Sequence, residues 1–173
     1  MRILVDTSAW LAIQNAKDNN HVPASRCWEE IEASKSRYIL STWIFEETLT
    51  LVSRRTHPEA ASLLGRMFLD SGRIEIVRGD PGLESRALLL MRSRKEDDFS
   101  FTDAASWVIA REHAVDAVFA FDRHLRMPGI RQIPQGLGVA VREEGIPYQT
   151  DSGKRMSTRR RKPAGGARRR STR

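Results

Sequence analysis

Four acidic side chains stand where this chain passes from a short apolar run into a helix or loop. They are Asp6, Glu47, Asp103 and Asp122. In a parallel α/β sheet the carboxyl ends of the strands lie at one edge, and ligands of open α/β sheets bind there. Carboxylates gathered at one place repel each other, and a hard divalent cation with oxygen ligands offsets that repulsion. The pattern therefore predicts a metal-dependent enzyme.

Each of these acids also has a purely structural interpretation. An aspartate that follows a strand commonly caps a helix, and Asp103 in a first helical turn gains about 0.3–1 kcal/mol from the helix dipole without any catalytic role. Only the combination of four such positions favours an active site.

Two adjacent glutamates compete for the fourth position. At helical spacing Glu47 shares a face with the apolar side chains of Ile44 and Leu51, whereas Glu46 shares a face with Thr50. A carboxylate turned toward an apolar face needs a chemical reason, so Glu47 is the better candidate.

Other chemistries that use acidic or nucleophilic pockets lack their motifs. The sequence has no Gly-x-x-x-x-Gly-Lys-Ser/Thr phosphate loop and no Gly-x-Ser-x-Gly turn, and its four histidines form no ligand spacing. Ser8 stands where a phosphoaspartyl hydrolase needs a second Asp after Asp6. Cys27 is the single cysteine, which excludes a disulfide framework and a Cys-based zinc site and favours a reducing compartment.

Apolar runs and helical periodicities alternate along the chain and define the elements that must position the acids. Strands are predicted at residues 3–5, 38–40, 73–77, 117–121 and 130–133. The main helices between them are predicted at 24–33, 42–54, 58–69, 83–94 and from Asp103 onward. Continuous apolar runs are typical of strands buried on both faces of a parallel sheet. We predict a three-layer α/β/α fold with a central parallel sheet of four to five strands and right-handed crossovers.

Charge and composition predict three parts: a domain at 1–134, a short extension at 135–149 and a disordered basic tail at 150–173. A chain of 173 residues with 40% hydrophobic content suffices for one buried core. The tail holds ten Lys or Arg and one Asp, whereas the preceding 149 residues hold 19 basic and 21 acidic side chains. It has too few apolar side chains to offset the entropy of ordering. Without a signal-peptide hydrophobic region or an 18-residue apolar stretch, we expect a cytoplasmic protein that does not enter the membrane.

Four short segments resemble the PIN-domain ribonucleases, and within them the VapC-type toxins of bacterial toxin–antitoxin pairs. The segments are VDTSAW (5–10), WIFEETLTL (43–51), FSFTDAAS (99–106) and FAFDRH (119–124). Each is short, but they occur in the family's order over residues 2–134, and the ordered set is fairly specific.

The resemblance implies a PIN-like fold and an endoribonuclease that uses Mg²⁺ or Mn²⁺ to hydrolyse RNA phosphodiester bonds. It implies four catalytic residues: Asp6, Glu47, Asp103 and Asp122. Three of them, Asp6, Asp103 and Asp122, would be metal ligands. Thr7, Ser8 and Thr102 stand beside these acids and would orient them. The implied partners are RNA, a small antitoxin protein and a second copy of the chain in a homodimer.

The sequence leaves two other functions open. One is an RNA-processing or decay nuclease that has no antitoxin. The other is a non-catalytic RNA-binding module in which the acids only cap helices. His124 is a candidate phosphate contact, although a histidine after a strand is more often solvated.

The basic tail is a candidate tether to RNA or to the ribosome, since arginine clusters bind phosphates well. The tether residues would be Arg159, Arg160, Arg161, Lys162, Arg168, Arg169 and Arg170. A solvated end without a partner is the alternative.

Overall fold

Five parallel strands form the central sheet of the protein, whose computed structural model describes residues 1–94 and 98–134. The strands are β1 (Arg2–Val5), β2 (Arg37–Ser41), β3 (Ile74–Val77), β4 (Ala117–Phe119) and β5 (Arg131–Ile133). Their order across the sheet is β3-β2-β1-β4-β5. Leu4 in the central strand pairs with Ile39 on one side and with Val118 on the other. The predicted parallel sheet of four to five strands is confirmed.

Six α-helices and one short 3₁₀ helix connect these strands within the described residues. They are α1 (Thr7–Gln14), α2 (His21–Ala33), α3 (Thr42–Arg55), α4 (Pro58–Asp70), α5 (Pro81–Ser93), α6 (Phe101–Glu112) and the 3₁₀ helix Arg123–Leu125. Helix α2 begins three residues before the predicted start at Ala24, because Pro23 is compatible with a first helical turn, where its missing N–H is not needed. Within the described part of the chain, we find no helix with the length and apolar character that crossing a bilayer demands.

The order of the strands changes direction at β1. From β1 the chain moves to β2 and β3 on one side of the sheet and returns to β4 and β5 on the other. The crevice outside the carboxyl ends of β1 and β4 is therefore a topological switch point, which is the usual ligand site of an open α/β sheet. Asp6 directly follows β1 and Asp122 comes shortly after β4, so both lie at this crevice.

Aromatic packing fixes the direction in which α1 leaves the sheet. The ring centroid of Trp10 in α1 lies 4.7 Å from that of Phe68 in α4 and 5.1 Å from that of Trp28 in α2. Such pairs contribute about 0.5–1.5 kcal/mol each beyond the burial of apolar area. Because β1 is also fully buried from Ile3 to Val5, the junction that carries Asp6 has little freedom to move.

Two predicted segments lie outside the described residues: the extension at 135–149 and the basic tail at 150–173. Residues 95–97 lie outside them as well.

Candidate active site

Asp6 caps α1 and is held by Ser8. The backbone N–H and the hydroxyl of Ser8 both donate to Oδ2 of Asp6, at 2.9 and 2.5 Å. The Ser8 hydroxyl oxygen also accepts a hydrogen bond from the backbone N–H of Phe121 at 3.0 Å. One serine side chain therefore connects the carboxyl ends of β1 and β4 and orients the first acid.

The Asp6 carboxyl is costly to ionise in the metal-free protein. Burial raises its pKa from 3.8 to about 7, the hydrogen bonds from Ser8 oppose this shift, and the nearby charges of Asp122 and Glu47 add to it. Only 6% of Asp6 is exposed. A helix cap needs neither burial nor a second carboxylate beside it, so capping alone does not account for this environment.

Glu47 lies in α3 and reaches Thr7, the first residue of α1. The Thr7 hydroxyl donates to Oε2 of Glu47 at 2.9 Å, and the Thr48 hydroxyl donates to the Thr7 hydroxyl oxygen at 3.4 Å. The structure thus brings Glu47 to the site and connects α3 with α1 through Thr7.

The prediction that Glu47 turns toward an apolar face of α3 is wrong. The buried residues of α3 are Ile44, Thr48 and Val52, and Glu47 itself is exposed. Glu47 borders this buried stripe because Thr48, one residue further, points into the core. Its proximity to Asp6 therefore reflects the hydrogen bond to Thr7 rather than burial among apolar side chains.

Asp103 lies in the first turn of α6 and forms a capping box with Ser100. The backbone N–H and hydroxyl of Ser100 both donate to Oδ2 of Asp103 at 2.7 Å, and the Asp103 N–H donates to the Ser100 hydroxyl oxygen at 3.1 Å. Burial raises the pKa of Asp103, an effect that the Ser100 bonds and the His124 charge reduce and that Asp122 increases.

The residue that orients Asp103 is Ser100, which the sequence analysis overlooked. Thr102 was predicted for this role, but among the described residues its side chain makes no hydrogen bond to Asp103. The spacing of Ser100 and Asp103 is that of a capping box, so this local signal was present in the sequence.

Asp122 caps the 3₁₀ helix that follows β4. The His124 backbone N–H donates to Oδ1 of Asp122 at 2.8 Å, and Nδ1 of the His124 ring lies 3.1 Å from the same oxygen. The other ring nitrogen faces Asp98, which sequence reasoning also overlooked. Both ring nitrogens thus have partners within the protein, since Nε2 also accepts a hydrogen bond from Nε of Arg123 at 3.4 Å. The phosphate contact by His124 stays a prediction.

The four predicted acids converge, although four different segments carry them. Asp122 lies close enough to raise the pKa of both Asp6 and Asp103, and Glu47 contributes to that of Asp6. Each of the three aspartates uses one carboxylate oxygen in a local cap. Among the described residues, no hydrogen bond is made to the other oxygen: Oδ1 of Asp6, Oδ1 of Asp103 and Oδ2 of Asp122.

The donor set fits a hydrated hard cation better than a fully protein-ligated one. Within residues 1–94 and 98–134, no three His, Cys, Asp or Glu side chains are arranged to hold a metal ion. Without a cation the carboxylates repel, and the caps restrain their side chains. Mg²⁺ usually keeps several waters and takes only one or two carboxylates, which this arrangement can provide. The predicted direct ligand set of Asp6, Asp103 and Asp122 stays a prediction.

The seven predicted tether residues, from Arg159 to Arg170, lie outside the described residues. The structure therefore leaves that prediction as it stood.

Comparisons with known proteins point to one family. The PIN domain family matches residues 3–129. The 23S rRNA-specific endonuclease VapC20 of Mycobacterium tuberculosis is 34% identical over 133 residues, which cover 76% of this chain and 97% of that protein. A VapC ribonuclease of Archaeoglobus fulgidus is 30% identical over 132 residues, covering 75% of this chain and 83% of that one.

A solved structure agrees with these sequence comparisons. The crystal structure of Mycobacterium tuberculosis VapC20, described as a sarcin–ricin loop cleaving toxin, superposes with a TM-score of 0.62 at 33% identity. The match covers 69% of this chain and 89% of that chain.

Proposed function

This chain belongs to the PIN-domain family, and from that premise we propose that it is a metal-dependent endoribonuclease that acts as the toxin of a toxin–antitoxin pair. The relatives at 34% and 30% identity bear the names of an endonuclease and a ribonuclease. Since both align over most of this chain, a ribonuclease is the activity that the family membership supports best.

One observation carries the proposal. The buried carboxyl of Asp6 lies beside Asp122 and Glu47 at the switch point of the sheet, where its pKa rises to about 7. In the absence of a cation, this arrangement destabilises the folded protein, and such destabilising arrangements commonly occur at functional sites. A divalent ion would remove this destabilisation by neutralising the carboxylates.

The acids of the site would have different roles in cleavage. A bound Mg²⁺ or Mn²⁺ would polarise a phosphate oxygen and lower the pKa of a bound water. Asp6, Asp103 and Asp122 would hold the hydrated ion, one or two of them directly and the rest through its waters, by oxygens that no cap uses. Glu47, oriented by Thr7, or Asp122 would position the attacking water and accept its proton.

RNA cleavage should require a divalent ion. We expect protein stripped with EDTA to cleave an rRNA-loop oligonucleotide at least about 100-fold more slowly than protein with Mg²⁺ or Mn²⁺, since a metal supplies several kcal/mol of charge stabilisation. The product ends give a second readout, because attack by water leaves no 2′,3′-cyclic phosphate. Single-turnover cleavage with mapped ends measures both.

The control is Asp6→Asn protein purified in the same way, which reports any contaminating ribonuclease. Cleavage that persists in EDTA, or cyclic phosphate ends, would contradict the metal-dependent mechanism. Metal-dependent cleavage of other RNAs but not of rRNA loops would keep the nuclease and change the substrate.

We also propose a small antitoxin and a second copy of the chain as partners. The relative at 33% identity is a toxin, which supports the antitoxin. Large apolar side chains are exposed on α4 and α5 and would be covered by a partner: Leu63, Met67, Leu88 and Leu89. A small gene for a DNA-binding protein directly upstream would separate the toxin from a decay nuclease. We propose the cytoplasm as the compartment of this activity.

Removing residues 154–173 should weaken RNA binding and flatten its salt dependence, while the cleavage step stays within about twofold. These residues hold ten Lys or Arg, and each phosphate contact to a single strand adds about 0.7 to the slope of log affinity against log salt. Fluorescence anisotropy of full-length and truncated protein over a salt series measures the slopes. If the two slopes are equal, the tail is not a tether.

A further inference from the structure

The His124 ring lies between two carboxylates at the edge of the candidate site. Its Nδ1 is 3.1 Å from Oδ1 of Asp122, and its Nε2 is 3.1 Å from Oδ1 of Asp98. The backbone N–H of His124 donates to the same Asp122 oxygen at 2.8 Å. Only 10% of the His124 side chain is exposed. Nε2 also accepts a hydrogen bond from Nε of Arg123 at 3.4 Å, so both ring nitrogens already have partners within the protein.

Helix α6 fixes the turn that carries this ring. The indole N–H of Trp107 donates to the backbone oxygen of His124 at 2.7 Å, and the Phe99 ring packs edge-on against the imidazole at 5.9 Å. Trp107 lies four residues after Asp103, on the same side of α6. The helix that supplies one acid thus also holds the turn that supplies another.

We propose that His124 is a positioning residue that holds Oδ1 of Asp122 and thereby keeps Oδ2 of Asp122 directed into the cleft with Asp6 and Asp103. The inference rests on the proposed nuclease function, because it concerns the same acids. Residues that orient a ligand carboxylate act through it, and their loss typically lowers metal affinity or activity about 10–100-fold.

Of the two contacts between the His124 ring and a carboxylate, the contact with Asp98 is nearer to solvent and is the weaker one. Asp98 is 60% exposed, and it also pairs with the exposed guanidinium of Arg123 at 2.7 Å. Exposed ion pairs contribute little, because water and salt screen them. The 3.1 Å ion-pair contact with Asp122 should therefore matter for cleavage, and the contact with Asp98 should not.

Two substitutions separate the two sides of the ring. The amide nitrogen of His124→Asn can take the place of Nδ1 and keep a contact with Asp122, whereas that of His124→Gln takes the place of Nε2 and keeps only the contact with Asp98. We expect His124→Asn to retain at least about a third of the single-turnover rate and His124→Gln to lose about 10–100-fold at saturating Mn²⁺. Asp98→Ala should stay within about twofold.

A merely structural role predicts a different result. It would lower the rate and the melting temperature of both His124 variants to the same extent, and that outcome overturns the proposal. A loss with Asp98→Ala as large as that with His124→Gln would overturn it as well, since the outer contact would then be the important one.

A readout on the metal-free protein keeps the test independent of cleavage. The Nδ1–H proton of His124 should give an imidazole NMR resonance that exchanges slowly with water, assigned by its absence in His124→Asn. Asp122→Ala should abolish this slow exchange. If the wild type lacks the resonance, or if Asp122→Ala retains it, His124 does not hold Asp122. Failure of the wild type to cleave RNA would instead count against the proposed function alone.

Discussion

Replacing Asp6 by Asn should reduce RNA cleavage more than about 100-fold and should make the metal-free protein more stable at neutral pH. Asn keeps an oxygen that can accept the two hydrogen bonds of Ser8, but it removes the buried charge beside Asp122 and Glu47. Loss of a charged ligand should remove several kcal/mol of transition-state stabilisation. Single-turnover rates and urea unfolding measure the two effects.

The stabilisation should depend on pH in a defined direction. The pKa of Asp6 is about 7 in the folded protein and 3.8 in the reference state, so the folded state binds the proton more tightly. The free energy of unfolding of the wild type therefore falls as pH rises from about 4 to 7. One pKa unit corresponds to about 1.4 kcal/mol, so the advantage of Asp6→Asn has a ceiling of about 4 kcal/mol at pH 8 and is about 2–3 kcal/mol smaller at pH 5.

The matched control is Asp70→Asn, at an exposed position on α4. It should change neither cleavage nor the pH dependence of stability. An Asp6→Asn variant that still cleaves at a near-normal rate would remove Asp6 from the site. Equal stabilisation at pH 5 and pH 8 would show that the Asp6 charge does not destabilise the metal-free wild type.

Replacing Glu47 by Gln should lower the cleavage rate at saturating metal by at least about 100-fold, whereas Glu46→Gln should stay within about twofold. The amide side chain of the Glu47→Gln variant can still accept the hydrogen bond from Thr7, so the substitution removes the charge and keeps this bond. Both glutamates are exposed and adjacent in α3, which makes Glu46 a close control for general effects on the helix.

The comparison needs single-turnover rates on one RNA over a range of metal concentrations, so that weaker ion binding is not mistaken for slower chemistry. Equal losses in the two variants would mean that the bond between Thr7 and Glu47 does not identify the catalytic acid. A loss in Glu47→Gln that excess metal restores would assign Glu47 to ion binding rather than to the proton transfer.

Helix capping explains part of the arrangement of the acids. Asp6 and Asp122 each cap a helix, and Asp103 belongs to the capping box that opens α6, as an inert α/β domain would also arrange them. The positions of these caps distinguish an active site from helix capping alone. Three caps meet at one crevice, two of the three carboxyls have raised pKa values, and a fourth carboxylate from α3 joins them. Capping explains one oxygen of each aspartate and leaves the clustering unexplained.

The elements of the fold could be predicted because their signals are local. The runs of apolar residues mark strands buried on both faces, and Pro58 marks the first turn of α4 in both the sequence and the structure. Boundaries were less accurate: α2 begins earlier than predicted, and β4 ends at Phe119 rather than at residue 121. The residues after Phe119 bond to Ile133 and to Ser8 instead, which are contacts that periodicity does not reveal.

The sequence by itself determined which acids stand at the ends of strands and the starts of helices, because those junctions are set by neighbouring residues. Only the tertiary structure decided which side chains the acids contact and which acids lie beside each other. The bond between Thr7 and Glu47 joins residues 40 positions apart, and the contact between Asp98 and His124 joins the segment before α6 to the 3₁₀ helix after β4. The burial of Asp6 beside Asp122 likewise depends on the pairing of β1 with β4. Such contacts follow from the packing of the whole sheet, since no local pattern brings distant segments to hydrogen-bonding distance.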